Sequence, residues 1–486
     1  MAGKGKIPRT IEGVDIQQTI TSIRQQLDAD HAVSPALRAS IDLLILVVTL
    51  LANRLGLNSQ NSHTPPSADP NREKTPRQSG LRKPGGQPGH QGNQLQPVDN
   101  PDEVETLPID RRMLPPGHYR EAGYEARQVV DVEFVRIVTE YRAQVLMNEQ
   151  GRRFVAAFPD AVTRPVQYGN GLKAHAVYLS QFQLLPYQRI ADYFQDQLGI
   201  PVSTGSIVNF NLEAAGLLQE LNLADRIRTQ LHQETVLHAD ETGINVNGVR
   251  HWLHCASSAS WTWFTTHRQR GADAMDEAGV LPGFRGILCH DHWKPYYTYN
   301  QCRHALCNAH HLRELERAQV QDGKRWAEAL KKLLLEVNEK VNEASGVLLQ
   351  SQVGYYQRRY RHILQQGEDE SPPPDERERK PGQRGRLKRS KSRSLLERLR
   401  DYEQDVLRFM SVPEVPFTNN QGENDIRMTK VQQKISGCFR SLEGAQTFCL
   451  IRSYLSTCRK NHCSASQALL AIYHKQLPAF FGKDAE

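Results

Sequence analysis

Two short apolar runs that each end at an aspartate constrain the fold more than any other feature of this chain. The first reads Thr-Val-Leu-His-Ala and stops at Asp240, and the second reads Gly-Ile-Leu-Cys-His and stops at Asp291. An apolar run bounded by polar and turn residues predicts a buried strand. Two such strands can bring both carboxylates to one edge of a sheet, where like charges repel. The pattern therefore predicts a bound divalent cation at that edge.

The segment that follows Asp240 predicts the order of the strands. Asn247-Gly248 separates two alternating runs and favours a tight hairpin, because a type I′ turn needs positive φ at both central residues. Beyond it, the patterns predict a third strand, a short helix, a fourth strand and a fifth strand, at residues 261–266, 271–279, 286–290 and 302–307. This is the order of a ribonuclease H-like fold, in which the first and fourth strands are neighbours. We expect a multidomain α+β chain with a ribonuclease H-like mixed sheet as its core.

Composition and charge narrow the class of protein. With 38% hydrophobic and 24% charged residues, the chain resembles ordinary soluble proteins. Its net charge of +7 permits an anionic partner without requiring one. None of the 8 cysteines precedes Cys255, which argues against a small disulfide scaffold and for a reducing compartment. There is no signal-peptide core, and the apolar run from Leu43 to Ala52 is too short to cross a bilayer, so we expect a cytoplasmic protein.

The N-terminal part predicts a helical region, a linker and a small β domain. Residues 1–57 form an N-terminal region in which helix is predicted from about Val14 to Leu57, with a good helix start at Ser34-Pro35. Its apolar face either packs within its own domain or joins protomers. Residues 58–98 form a Pro/Gly-rich basic linker, in which Arg82 and Lys83 are either solvated or bound to DNA phosphates. Residues 99–160 predict a β domain, because the run from Arg127 to Leu146 alternates and suits a hairpin. That domain has no cysteine, so we expect no structural zinc there.

A helical region precedes the strands, and two more helical regions follow them. Residues 165–231 resemble a helix-turn-helix, with a third helix capped near Ser203, although a helical spacer would give the same pattern. We place the catalytic domain at residues 232–440, with a helical and basic insertion at about 325–412, and a C-terminal helical region at 441–486. The insertion carries a basic run that is either a solvated loop or a DNA contact, including Arg386, Lys388 and Arg389.

Cys307-Asn-Ala-His310 is half of a zinc motif. No second pair of ligands lies at zinc-like spacing along the chain, so the motif alone does not make a tetrahedral site. We expect a structural role at a strand-helix junction, with His310 facing the carboxylates.

A third carboxylate is supplied by the stretch around Glu423. Asn419 or Asn420 can cap a helix, which puts Glu423 in its first turn. Taken alone, Glu423 would complement the helix dipole. On the same face of that helix follow Arg427, Lys430 and Lys434. One glutamate followed by a row of cations is what a metal-bound phosphate requires, so we predict that Glu423 is the third ligand.

Three carboxylates of this kind predict two-metal chemistry. Oxygen ligands suit magnesium or manganese, and two such ions about 3.5–4 Å apart can activate an attacking oxygen and stabilise a leaving one. We expect Asp240 to bridge the ions, with Asp291 and Glu423 each holding one. Glu241 would point to the other side of its strand, so it is ranked as a supporting residue, together with His310 and Asn420.

Three motifs resemble the Asp-Asp-Glu (DDE) motifs of the transposases of the insertion sequence 66 family. They are His-Ala-Asp240-Glu-Thr-Gly, Cys-His-Asp291-His-Trp-Lys-Pro-Tyr and Asn-Asn-Gln-Gly-Glu423-Asn-Asp-Ile-Arg. Residues 58–69 and 82–92 resemble the segments that precede that family's zinc-binding domain, and Cys307-Asn-Ala-His310 and Cys458-Arg-Lys-Asn resemble further family motifs. The chain departs from the family in lacking cysteine pairs at residues 99–159, and Gly422 stands where alanine is common.

The resemblance implies a metal-dependent enzyme that cuts and joins double-stranded DNA. Water would attack the phosphodiester at an element's end, and the freed 3′ hydroxyl would then attack target DNA. It also implies a homo-oligomer in the active complex, with accessory proteins of the element as further partners. The rival hypotheses are a nuclease that only hydrolyses and a catalytically inactive DNA-binding protein derived from a transposase. The site residues do not separate these, whereas a strand-joining assay does.

Overall fold

The computed structural model describes residues 10–11, 14–30, 33–55, 95–379 and 384–482. The basic linker residues Arg82 and Lys83 lie outside the described residues. The chain divides into two compact units, of which the smaller comprises residues 73–158 with 196–199 and the larger comprises the rest.

The N-terminal region of the larger unit contains two helices among its described residues. A two-residue pair of antiparallel strands, β1 (Thr10–Ile11) and β2 (Val14–Asp15), precedes α1 (Ile16–Ala29) and α2 (Pro35–Leu55). As predicted, α2 begins at Pro35, and Ser34 Oγ accepts the N–H of Leu37 at 3.3 Å. Exposed apolar side chains line α2, namely Leu43, Leu44, Leu46, Val47, Val48, Leu50 and Leu51.

The same helix corrects one expectation from the sequence. The 18 residues Pro35–Ala52 are long and apolar enough to cross a membrane by length and composition. The run was expected to be too short because only its most apolar part, from Leu43, was considered. Core helices of soluble proteins and N-terminal signal sequences meet the same criterion, so it does not distinguish among them.

The smaller unit contains one short hairpin among its described residues, formed by β3 (Val145–Met147) and β4 (Arg153–Val155). Asn148 sets the turn, because its Oδ1 accepts the N–H groups of Gln150 and Arg152 at 3.1 and 2.9 Å. The alternating run that starts at Arg127 is instead largely exposed and forms no strand up to residue 144. The hairpin therefore lies further along the chain than the alternation predicted, because alternation reveals the spacing of a strand and not its partner.

Four helices lie between the hairpin and the main sheet: α3 (Asn170–Val177), which continues as a π-helical turn at Tyr178–Phe182, α4 (Tyr187–Leu198), α5 (Thr204–Glu220) and α6 (Leu223–Gln233). As predicted, Ser203 caps α5, with its Oγ accepting the N–H of Ser206 at 3.0 Å. The side chains of Ile207, Phe210 and Leu218 on α5 are buried, and the helix contains no lysine or arginine. This composition is unfavourable for a helix that reads the major groove.

The main sheet has five strands: β5 (Val236–Val246), β6 (Val249–Ser257), β7 (Thr262–His267), β8 (Ile287–His290) and β9 (Arg303–Leu306), with α7 (Ala272–Ala278) between β7 and β8. Their order is β7-β6-β5-β8-β9, in which β6 is antiparallel to β5 and β7, and β8 and β9 run parallel to β5. Asn247 and Gly248 have φ values of 48° and 81°, as the predicted type I′ turn requires. The first and fourth strands of this sheet are therefore neighbours.

Eight further helices surround the sheet. The insertion and its flanks form α8 (Asn308–Asp322), α9 (Arg325–Glu343), α10 (Gln350–Glu370), α11 (Lys391–Asp401) and α12 (Glu403–Leu407), and the chain continues through α13 (Asn420–Ser436), α14 (Leu442–Lys460) and α15 (Ala465–Tyr473). One core joins the helical insertion to Ile287, Ala305 and Leu306 of β8 and β9. A second core joins α13 and α14 to β5, β6 and β7. The described part of the chain is thus a mixed α+β protein with fifteen α-helices.

Candidate active site

The parallel pairing of β5 with β8 places Asp240 level with Asp291. The pairs are Val236↔Ile287, Leu237↔Leu288 and His238↔Cys289. Two more residues in the same register bring the chain to the two aspartates, at the carboxyl end of β8. Neighbouring strands lie about 4.8 Å apart, so the two carboxylates share one edge of the sheet.

The helix α13 brings Glu423 to the same place. Pairing between β5 and β6 runs without a break from His238 to Val246, so even-numbered residues of β5 share a face with Asp240. Val246 on that face belongs to the same core as Ile426 of α13. Glu423 precedes Ile426 by one helical turn, and its charge is felt at Asp240. Three elements that are far apart in the sequence thus converge through their carboxylates.

The electrostatics of Asp240 are those of a site that favours a cation. Burial, followed by the negative charges of Glu241, Asp291 and Glu423, raises the pKa of Asp240 to about 8, against one stabilising hydrogen bond from the Glu241 N–H at 2.9 Å. Among the described residues, Oε1 of Glu423 is buried and has no hydrogen-bond partner. A divalent cation would relieve both the repulsion and the unpaired oxygen. The donor set of carboxylate oxygens fits magnesium or manganese.

Glu241 lies on the opposite face of β5, as strand alternation predicts. It accepts hydrogen bonds from Arg270 Nε at 2.9 Å and from the hydroxyl of Tyr296 at 2.5 Å, and its side chain is 2% exposed. The guanidinium of Arg270 lies over the rings of Trp252 and Trp293, 4.9 and 4.1 Å from their centroids. Because Trp293 N–H also donates to Asp291 Oδ1 at 2.8 Å, this cluster supports the turn that carries the second aspartate.

Asn419 is a site residue that the sequence indicated only as a possible helix cap. It is 3% exposed, its Nδ2 donates to the carbonyl of Ala239 at 2.8 Å, and its Oδ1 lies 2.7 Å from His238 Nδ1. Since Asn419 Oδ1 can only accept, His238 Nδ1 carries the proton of that bond. The N–H of Asn419 donates to Cys307 Sγ at 3.1 Å. One residue thus attaches the start of α13 to β5 and to the residue that follows β9.

Asn420, predicted as the supporting residue, is exposed. Neither residue forms the expected side-chain cap, because the polar groups of Asn419 are turned towards β5 instead. The Asn419-Asn420 pair was the sequence feature that indicated a helix start here, and it fits a helix capped by either asparagine.

The other predicted residues fall into two groups. His310 lies in the first turn of α8, and the ligand atoms of Cys307, His310 and Glu423 are all within 4.8 Å of one another. The cations predicted to bind DNA are exposed, on α13 and on the segment before α11; they are Arg427, Lys430, Lys434, Arg386, Lys388 and Arg389. Of these, Arg389 forms an ion pair with Glu397.

Comparison with known protein families identifies matches for two segments of this chain. Residues 9–96 match a family of unknown function, DUF6444. A comparison with curated proteins found none that matches. Residues 165–447 match the family described as Transposase IS66 family, and this segment spans more than half of the 486 residues and holds all three converging carboxylates. The chain therefore belongs to the IS66 family of transposases.

Proposed function

We propose that this transposase cuts the ends of an insertion sequence and joins the freed 3′ hydroxyl to target DNA by metal-dependent phosphoryl transfer. The observation that carries the proposal is the convergence of Asp240, Asp291 and Glu423 from two strands and a helix. Carboxylates gathered at such an edge are the usual ligands of two-metal phosphoryl transfer.

A ribonuclease H-like catalytic domain is part of the proposal. Its support is the strand order β7-β6-β5-β8-β9, with β6 antiparallel and β8 parallel to β5. This arrangement makes the first and fourth strands neighbours and puts the two aspartates at one edge. Helices pack on the sheet through two separate cores, as an α+β domain of this type requires.

Each residue of the site has a distinct part in this mechanism. Asp240, Asp291 and Glu423 would hold Mg²⁺ or Mn²⁺, which when bound supplies positive charge to the reacting phosphate and lowers the pKa of the attacking oxygen. Asn419 holds Glu423 in place relative to Asp240 through its bond to Ala239. Glu241 and the residues it binds keep the turn after Asp291 in place.

DNA would bind along α13 and the basic segment before α11. Residues 423, 427, 430 and 434 recur at helical spacing, so one side of α13 presents the glutamate followed by three exposed cations. Exposed Arg386 and Lys388 supply a second basic stretch for the phosphate backbone. The uncovered apolar side chains of α2 support association of protomers in the active complex. We further propose that the protein acts in the cytoplasm, at the nucleoid.

The test is cleavage and joining of a labelled duplex that carries the element's terminal repeat, with Mg²⁺ or Mn²⁺. We expect joined product from the wild type, and none from Asp240→Asn or Glu423→Gln. Glu443→Gln is a matched control, because Glu443 also lies in the first turn of a helix, α14, and is exposed. Cleavage without joining would favour the hydrolytic nuclease, and specific binding without any cleavage would favour the inactive DNA-binding protein.

A further inference from the structure

A mixed cluster of sulfur, nitrogen and oxygen ligands lies beside the catalytic carboxylates. Cys307 directly follows β9, His310 lies in the first turn of α8, and Glu423 lies in the first turn of α13. We propose that these three side chains bind one Zn²⁺ ion, and that zinc held there draws Glu423 away from Asp240 and inhibits strand cleavage reversibly. The inhibitory part rests on the proposed function, whereas the binding part does not.

The geometry of the cluster suits zinc. One ligand atom from each residue lies within 4.8 Å of the others. Zinc bonds of about 2.3 Å to sulfur and about 2.0–2.1 Å to nitrogen put two ligands of a tetrahedral ion roughly 3.5 Å apart. Since 4.8 Å is the largest separation in the cluster, the approach still needed is at most about 1.3 Å. Cys307 and His310 are also three residues apart at the start of a helix, a spacing at which both side chains reach the same point.

The chemistry of the cluster separates zinc from the catalytic ions. A thiolate and an imidazole are ligands that zinc favours and magnesium does not. Cys307 is 1% exposed, and the Asn419 N–H that points at its sulfur is a contact that supports a metal-bound thiolate. Burial raises the pKa of the Cys307 thiol, so binding must release a proton from this residue.

Glu423 connects this site to catalysis. Its charge acts on Asp240, while its carboxylate also lies within reach of Cys307 and His310. Its Oε1 is buried and has no hydrogen-bond partner within the described part of the chain, so no hydrogen bond from those residues holds that oxygen on either side. A carboxylate that binds zinc on the cysteine side is withdrawn from the ion it would share with Asp240. The third ligand of the half-motif therefore comes from a distant helix, which sequence spacing does not reveal.

Cobalt binding tests the site without any need for activity. Metal-free, full-length protein is titrated with Co²⁺, and the sulfur-to-cobalt charge-transfer absorption in the near ultraviolet is recorded. We expect this absorption in the wild type and in Asp240→Asn, but not in Cys307→Ser. Cys438→Ser is the matched control, because Cys438 is exposed and outside the cluster, and it should retain the absorption. Absorption that persists in Cys307→Ser, or that is missing from the wild type, would overturn the proposal.

A second variant guards against a folding defect in Cys307→Ser. His310→Ala leaves the buried thiol and its contact with Asn419 intact, and we expect it to weaken Co²⁺ binding by more than the roughly 10- to 100-fold that losing a supporting contact costs. Unchanged affinity in a His310→Ala protein that melts like the wild type would remove histidine from the site and refute the proposed ligand set.

The inhibitory part is tested by cleavage in Mn²⁺ with and without micromolar Zn²⁺, expressed as a ratio within each protein. Zinc should depress cleavage by the wild type and by Cys438→Ser, and excess chelator followed by fresh Mn²⁺ should restore it. For Cys307→Ser, the ratio of cleavage with Zn²⁺ to cleavage without Zn²⁺ should stay near one. Equal depression in Cys307→Ser would place zinc on the carboxylates alone and refute this inference. A wild type that binds cobalt through sulfur yet never cleaves DNA would contradict the proposed function instead.

Discussion

The side-chain amide of Asn419 donates to the carbonyl oxygen of Ala239 at 2.8 Å, which ties the residue before α13 to the residue before Asp240. The third carboxylate is therefore positioned by a contact with the backbone of the strand that carries the first. The bond is buried, and Asn419 also accepts from His238, so neither polar group of its side chain is left unpaired. Glu423 lies one helical turn beyond this attachment.

We predict that Asn419→Ala lowers strand cleavage by about 10- to 100-fold and raises the Mn²⁺ concentration needed for half-maximal activity. The substitution removes two buried hydrogen bonds and costs about 1–3 kcal/mol, while it leaves the three carboxylates in the chain. Cleavage is measured across a Mn²⁺ titration. Asn420→Ala is the control, because Asn420 is exposed and its loss should change the rate by no more than about twofold. Equal losses in the two variants would refute the assignment.

The pair of Arg270 and Glu241 supports a second prediction. Glu241 is nearly inaccessible, so Arg270→Ala leaves a buried carboxylate whose one remaining side-chain partner among the described residues is the hydroxyl of Tyr296. Since Arg270 is partly exposed, we expect a loss of about 1–3 kcal/mol rather than more. Tryptophan emission should also change, because the guanidinium lies over Trp252 and Trp293.

A double-mutant cycle isolates this interaction. If the cost of Arg270→Ala arises from the unpaired charge, then Arg270→Ala combined with Glu241→Gln should be more stable than Arg270→Ala alone. The nearby, exposed Arg268→Ala is the control for loss of a surface cation. Additive losses in the cycle would show that the two side chains act independently.

Local pattern was enough to predict the strands of the core. The apolar runs before Asp240 and Asp291 and the turn at Asn247-Gly248 each depend on residues close in sequence, and the structure has all of them near the predicted positions. Once the order of the strands along the chain is predicted, the ribonuclease H-like topology implies that β8 pairs with β5 in parallel. The proximity of the two aspartates then needs no further information.

Other features depend on contacts that local pattern does not contain. Whether Asn419 or Asn420 supports the site depends on how the start of α13 meets β5, and both residues are equally good caps in sequence. The link between Cys307 and Glu423 joins two helices whose relative position is set by the sheet between them. The hairpin of the smaller unit was misplaced for a related reason, because the turn at Asn148 and not the alternating run determines which residues pair.

The exposed cations of α13 give a prediction about DNA binding. If Arg427, Lys430 and Lys434 contact phosphates, each alanine substitution should reduce the slope of log affinity against log salt by about 1. Binding to a terminal-repeat duplex is measured by fluorescence anisotropy at several salt concentrations. Lys332→Ala serves as the control, because Lys332 is paired with Glu328 on α9 and should leave the slope unchanged. An unchanged slope in all three α13 variants would place DNA elsewhere on the protein.

The lowered pKa values of two buried histidines imply that the stability of the domain containing the main sheet depends on pH. Burial lowers the pKa of His254 to about 4 and that of His290 to about 3, whereas an unfolded chain has values near 6.5. Between those limits the unfolded state binds more protons than the folded state, so the free energy of unfolding falls as pH drops below about 6.5. Each histidine contributes up to about 1.4 kcal/mol per pH unit in that window.

We therefore expect His254 and His290 to make the melting temperature of the wild type fall between pH 6.5 and pH 4.5, against the opposite contribution of Asp240, whose raised pKa favours the folded state as pH drops. In His254→Phe part of that dependence should disappear, because the aromatic ring is kept and the titrating nitrogens are lost. The melting temperature is measured by circular dichroism in buffers of constant ionic strength. His474→Phe is the matched control, since His474 is exposed and should leave the slope as it is in the wild type. A His254→Phe protein with the full wild-type slope would mean that His254 takes up its proton in the folded state, and that the loss of stability in acid arises elsewhere.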